Sequence, residues 1–157
     1  MTCISSLGHK MKHISDNAFS NSGIRKISLP SSLVDNTDSD GVKGYGLNDI
    51  ISLTSLTYED GISSIAPSAM IDCRSLLEEI RFPSTLKQIK QYAFAETYDV
   101  FPYLQNLNLD NLNELTSIDD YAFYNAISTL DGNALHLPSS LLSIGIAAFA
   151  YRRDAYT

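Results

Sequence analysis

The chain has 157 residues, 44% of them hydrophobic and 18% charged, a length and balance that suit one domain with a buried core and exclude a disordered tract. Its net charge of −7 and isoelectric point near 4.7 oppose the nucleic-acid phosphate backbone, so neither DNA nor RNA is an expected partner. Its apolar runs are only a few residues long, far short of the roughly 20 needed to span a bilayer, so no membrane insertion is expected.

The first residues, MTCISSLGHK, lack the apolar centre of a secretory signal. Cys3 and Cys73 are the only cysteines, too few for a disulfide framework and without metal-ligand spacing. Localisation therefore stays open between the cell surface and the interior.

Taken in chain order, the elements repeat. MKHISDNAF (Met11 to Phe19) opens the series, and KISLPSSL (Lys26 to Leu33) follows as a strand with alternating apolar residues ended by Pro30. Residues 34–50 (VDNTDSDGVKGYGLNDI) are polar and rich in glycine and read as a degenerate or looped-out coil. SLTYEDGI (Ser55 to Ile62) then runs into ISSIAPSAM (Ile62 to Met70), and EIRFPSTL (Glu79 to Leu86) into LKQIKQYAF (Leu86 to Phe94). NLNLDNL (Asn106 to Leu112) precedes LTSIDDYAF (Leu115 to Phe123), and ALHLPSSL (Ala134 to Leu141) precedes LSIGIAAF (Leu142 to Phe149).

The closing blocks share one spacing. Ile14, Ile65, Ile89, Ile118 and Ile144 each stand five residues before a Phe or Met, and Ala18, Ala69, Ala93, Ala122 and Ala148 each stand just before it. Successive closures are 51, 24, 29 and 26 residues apart, so the first gap holds about two units. Self-similarity at such a period marks a solenoid. One unit cannot cover its own apolar face, and burial requires strands to stack in parallel with equivalent side chains in register. Inward positions are then Ile27 and Leu29, Leu56 and Tyr58, Ile80 and Phe82, Leu107 and Leu109, and Leu135 and Leu137.

These residues resemble the BspA-like leucine-rich repeat family, whose unit runs as strand, Leu-Pro-Ser-Ser-Leu, Ile, then Ala-Phe and often a nearby cysteine, the place Cys73 takes after Met70. The chain departs from that pattern in its longer units, in Met70 for Phe, in Glu59 and Asp110 for proline, and in residues 34–50. The resemblance implies an α/β repeat, a right-handed solenoid with short parallel strands stacked into one sheet and with loops and short helical turns on the other side. Residues 1–157 then form a single domain of about five to six coils. Because uncapped solenoids expose apolar ends, the chain is expected to be a fragment of a longer repeat protein, to self-associate end to end, or to have an end capped by a partner.

The resemblance also implies a non-catalytic protein-interaction module, since the family occurs in surface proteins of bacteria and protists that attach to host or partner proteins. A structural or scaffolding subunit of a larger intracellular assembly is the alternative. Candidate binding residues are the outward strand positions Lys26, Ser28, Ser55, Thr57, Glu79, Arg81, Asn106, Asn108, Ala134 and His136, which mix charge signs and suit a protein partner better than a polyion. Plain solvated positions would look the same.

A second group is aromatic: Tyr92, Tyr98, Phe101, Tyr103, Tyr121 and Tyr124. Tyrosine is enriched at interfaces and also fills space between coils; Tyr98 and Tyr103, outside the core pattern, are the interface candidates. Asn36, Asp38 and Asp40 before Gly41 resemble the opening of a calcium loop, but the twelfth position is Leu47, where a carboxylate is required, and a plain acidic loop is expected instead. His9 and His13 are four apart without a third ligand, Cys73 is expected as a small buried residue, and Asp119 and Asp120 as turn or solvated residues. No nucleophile elbow or phosphate-cradling loop is present, so no enzyme activity and no cofactor are expected.

Overall fold

The computed structural model describes residues 7–15, 17–33, 36–38, 41–43, 47, 50–73, 77–97, 104, 107–127 and 135–151, with 36–38 and 41–43 described as backbone. The strands are β1 (Lys26–Leu29), β2 (Asn36–Asp38), β3 (Gly41–Lys43), β4 (Ser55–Tyr58), β5 (Ser64–Ile65), β6 (Glu79–Arg81), β7 (Gln88–Ile89), β8 (Ser117–Ile118) and β9 (Ser143–Ile144).

Equivalent strands of successive coils pair in parallel. β1, β4 and β6 form one sheet in which Ile27, Leu56 and Ile80 are in register, and β5, β7, β8 and β9 form a second in which Ile65, Ile89, Ile118 and Ile144 are in register. Single parallel bridges join Leu77 to Leu104 and Leu104 to Ile127. The expectation of one sheet is therefore corrected to two parallel sheets. The second forms because the Ser-Ile or, in β7, Gln-Ile step of the closing block is itself extended and meets its equivalent in the next coil. Within residues 34–50, β2 and β3 make an antiparallel hairpin, while Leu47 and Ile50 are fully buried.

Helical turns are the second correction: among the described residues there is no helix. The Ala-Phe blocks are chains of tight turns. Ala69, Ala93 and Ala122 donate to the carbonyls of Ala66, Lys90 and Asp119, three residues back, at 3.2–3.3 Å. The residue before each alanine is left-handed, with φ of 59° at Asn17, 55° at Ser68, 56° at Tyr92, 57° at Tyr121 and 50° at Ala147. A left-handed residue breaks the run of dihedrals that a helix needs. It also turns the amide two residues on toward the neighbouring coil: Met70, Phe94 and Phe123 donate to the carbonyls of Ala93, Ala122 and Ala148, each at 2.7 Å. The backbone groups are satisfied between coils instead of along a helix.

The core runs between the ladders. Phe94, Phe123 and Phe149 form a column with ring centroids 5.1 and 5.2 Å apart, and Met70, at the equivalent repeat position, is fully buried in the same core. Phe19 is half-buried against the same core. Tyr58 stacks on Phe82 at 6.1 Å, and Phe82 meets Phe94 edge-on at 5.8 Å. Ala69, Ala93, Ala122 and Ala148 are buried at 2% exposure or less, whereas Ala18, in the first coil, is exposed.

Strand positions divide more than alternation predicts. Ile27, Leu29, Leu56, Tyr58 and Leu109 are buried, and Ile80, Phe82 and Leu107 are half-buried. Leu135 and Leu137 are each 39% exposed, which corrects their assignment as inward residues. They lie outside any strand of the described residues, so no strand ladder turns them toward the core.

The turn after each strand shows a further shift. Leu33, Leu86 and Leu141 donate to the carbonyls of Pro30, Pro83 and Pro138, and Ile62 to that of Glu59. In the fourth unit Leu112 donates to Leu109, so Leu109, and not Asp110, takes the proline place and that strand segment is displaced by one residue. Where proline is missing at Glu59, the turn closes through Gly61 at φ 102°, a conformation that glycine adopts without a Cβ penalty.

Candidate protein-binding surface

Outward positions of β1, β4 and β6 stand side by side because the register places Lys26 beside Ser55 and Ser55 beside Glu79, and likewise Ser28, Thr57 and Arg81. The two rows carry both charge signs and hold one another. Arg81 Nε donates to Glu79 Oε1 at 2.7 Å, and Ser55 Oγ donates to Glu79 Oε2 at 3.5 Å. The hydrogen bond from Arg81 holds the Glu79 carboxyl below its ordinary value, so it is ionised at neutral pH. An exposed pair of this kind adds little stability and is readily re-partnered.

Glu59 widens the face, a role its proline-like place in the repeat conceals. Its Oε1 accepts from Ser28 Oγ at 3.4 Å, and its Oε2 lies 3.5 Å from His9 Nδ1, an ion pair when the imidazole is protonated. Of the other predicted face residues, Asn108 and His136 are exposed but outside any strand, so they do not extend the two rows. Asn108 Oδ1 instead accepts the Asp110 amide at 2.9 Å and shapes its own turn. Asn106 and Ala134 lie outside the described residues.

The aromatic group divides. Tyr92 and Tyr121 stack at 5.0 Å with planes 4° from parallel, and Tyr124 meets Tyr121 edge-on at 5.7 Å; all three are half-buried and fill space between coils. Tyr98, Phe101 and Tyr103 lie outside the described residues. So does Asp40, and the side chains of Asn36 and Asp38 in β2 are likewise not described. His9 and His13 share no helix. Cys73 is buried at 0% exposure, with Sγ 3.8 Å from the Ile50 carbonyl oxygen. Asp120 Oδ1 accepts the Ile146 amide at 2.6 Å, a turn role.

Sequence reasoning missed a set of side-chain bridges that fix the rows. The second hydroxyl of each Pro-Ser-Ser/Thr-Leu turn reaches the preceding coil: Ser32 Oγ donates to Met11 O at 2.7 Å, Thr85 Oγ1 to Ile62 O at 2.9 Å, and Ser140 Oγ to Leu115 O at 2.8 Å. Carboxylates reach the following coil, Asp60 accepting the Ser84 amide at 2.8 Å and Asp72 the Thr97 amide at 2.7 Å. Recurrence of a hydroxyl at one repeat position was the available signal.

Comparison with curated proteins gave no match, and comparison with solved structures gave none either. A family model described as BspA type leucine rich repeat region matches residues 12–155 in six copies, and stacked coils with in-register isoleucines and phenylalanines are what such a repeat builds. The chain belongs to the BspA-type leucine-rich repeat family.

Proposed function

We propose that this chain is a non-catalytic protein-interaction module whose binding face is the exposed side of β1, β4 and β6. The observation that carries the reading is the pair of registered rows Lys26–Ser55–Glu79 and Ser28–Thr57–Arg81, short polar and charged side chains on a sheet that the core holds from behind. Mixed charge at close spacing steers and selects a protein partner by complementarity. Family membership supports the same reading, because repeat solenoids use their extended surfaces for binding. The finer proposal is attachment to a host or cell-surface protein.

A scaffolding role inside a larger assembly is the second reading, favoured by the exposed apolar residues Leu142 and Ile146 in the last coil. The two are separated by presenting the chain to extracellular-matrix proteins and, in parallel, to proteins of the producing cell. Adhesion predicts saturable binding to the former that Lys26→Ala with Arg81→Ala abolishes while the thermal midpoint is unchanged. Binding that survives this double substitution removes the sheet face from the proposal.

A further inference from the structure

We propose that two copies of this chain join through the open edge of β9, about a two-fold axis that passes beside Gly145 and Ile146. The last coil carries Leu142 at 84%, Ile144 at 48% and Ile146 at 68% exposure. Ile144 is the counterpart of Ile65, Ile89 and Ile118, which are at most 1% exposed; among the described residues it differs from them in having a paired strand on one side only. Leu142 and Ile146 differ in kind. Their counterparts are Ser63, Lys87 and Thr116, and Pro67, Gln91 and Asp120, predominantly polar residues on the outer wall. The apolar character of this edge therefore belongs to the coil's own sequence and is not merely a consequence of standing last. An exposed apolar strand edge is a template for pairing with another chain.

The backbone of this edge identifies the occupant. Between coils, the carbonyls of Thr116 and Ile118 accept the amides of Leu142 and Gly145, while the amides of Tyr121 and Phe123 donate to Ile146 and Ala148. One coil further on, the equivalent groups are the carbonyls of Leu142 and Ile144 and the amides of Ala147 and Phe149, and none of the four has a partner among the described residues. Acceptors on one arm and donors on the other, spaced alike about the Gly145–Ile146 corner, form a self-complementary set. A two-fold rotation sets Leu142 O opposite Phe149 N–H of a second copy, and Ile144 O opposite Ala147 N–H, while Ile146, beside the axis, meets its own image and Leu142 and Ile144 are covered by the other copy's opposite arm.

Head-to-tail stacking does not cover the apolar side chains of this edge. At the first coil Leu7 is 6% exposed and its amide reaches the Ser28 carbonyl at 3.5 Å, and the Met11 carbonyl is taken by Ser32. That end presents His9, Lys10, Lys12 and His13 to solvent. Among the described residues that end has no exposed large apolar side chain to meet Leu142 and Ile146, so the association closes at two copies.

Sedimentation of the whole chain tests this, with the expected result a mass twice that of the chain. Leu142→Asp and Ile146→Asp should each raise the dissociation constant roughly tenfold or more with the circular dichroism spectrum unchanged. Should either variant fail to fold, oxidative cross-linking decides: in a Cys3→Ser background, Ile146→Cys forms a covalent dimer with itself, and Lys12→Cys does not cross-link to it. A monomer at the highest concentration reached, or mixed Lys12→Cys with Ile146→Cys cross-links, overturns the proposal.

Discussion

Phe123 lies face to face with Phe149, ring centroids 5.2 Å apart and planes 4° from parallel, and its other face covers Phe94 at 5.1 Å. Each ring is thus the floor of one coil and the ceiling of the next. Phe123→Ala should cost about 3–5 kcal/mol, since it opens a cavity between two stacked neighbours. Phe149→Ala should cost less, because Phe149 is half-buried. Denaturant unfolding of the two variants checks the order, and equal losses would contradict the half-burial of Phe149.

Ala93 and Ala122 are at 0% exposure inside the turns that launch Phe94 and Phe123 toward the neighbouring coil. Replacing either with Leu adds methylenes where the backbone of the next coil already sits, and a loss of about 1–3 kcal/mol is expected. Ala18→Leu, at the exposed counterpart in the first coil, should leave the thermal midpoint nearly unchanged.

Ala147 has φ 50°, a conformation that costs an L-residue free energy and glycine almost none. Ala147→Gly should raise stability by up to about 1 kcal/mol. Ala148→Gly, one residue later and without the left-handed backbone, should lower it. A denaturant midpoint that falls in both variants would place the strain elsewhere.

Thr85 Oγ1 donates to Ile62 O and accepts the Gly61 amide, both at 2.9 Å. Thr85→Val keeps the shape and removes both bonds, so a loss of about 1–2 kcal/mol is expected. Thr85→Ser should recover most of it. Ser140→Ala should behave alike, since its hydroxyl reaches the Leu112 and Leu115 carbonyls.

Glu79 is held below its ordinary value by Arg81, so its contribution is present in full above the ordinary carboxyl value of 4.5 and is lost as pH falls through the lowered one. A carboxyl titration followed by NMR should place the Glu79 midpoint below 4.5. Arg81→Ala should move it upward, and an unmoved midpoint would mean that the 2.7 Å bond does not persist in solution.

The amino-acid order alone determined that this chain is a stack of coils. The five-residue step from isoleucine to phenylalanine, with alanine before the ring, is a local spacing, and identical local spacings can bury identical side chains only by piling up in register. The rows Lys26–Ser55–Glu79 and Ser28–Thr57–Arg81 were legible for the same reason, because period-two alternation assigns a face wherever a strand exists. Asn108, His136, Leu135 and Leu137 show where that rule stops: without a strand, alternation assigns nothing. Only the tertiary structure decided that the steps ending in Ile65, Ile89, Ile118 and Ile144 form a second sheet, that Tyr92 and Tyr121 take left-handed backbones, and that Leu109 replaces a proline one position early. Each depends on where the neighbouring coil places its carbonyls and amides, a partner some 25 residues away that no local pattern contains.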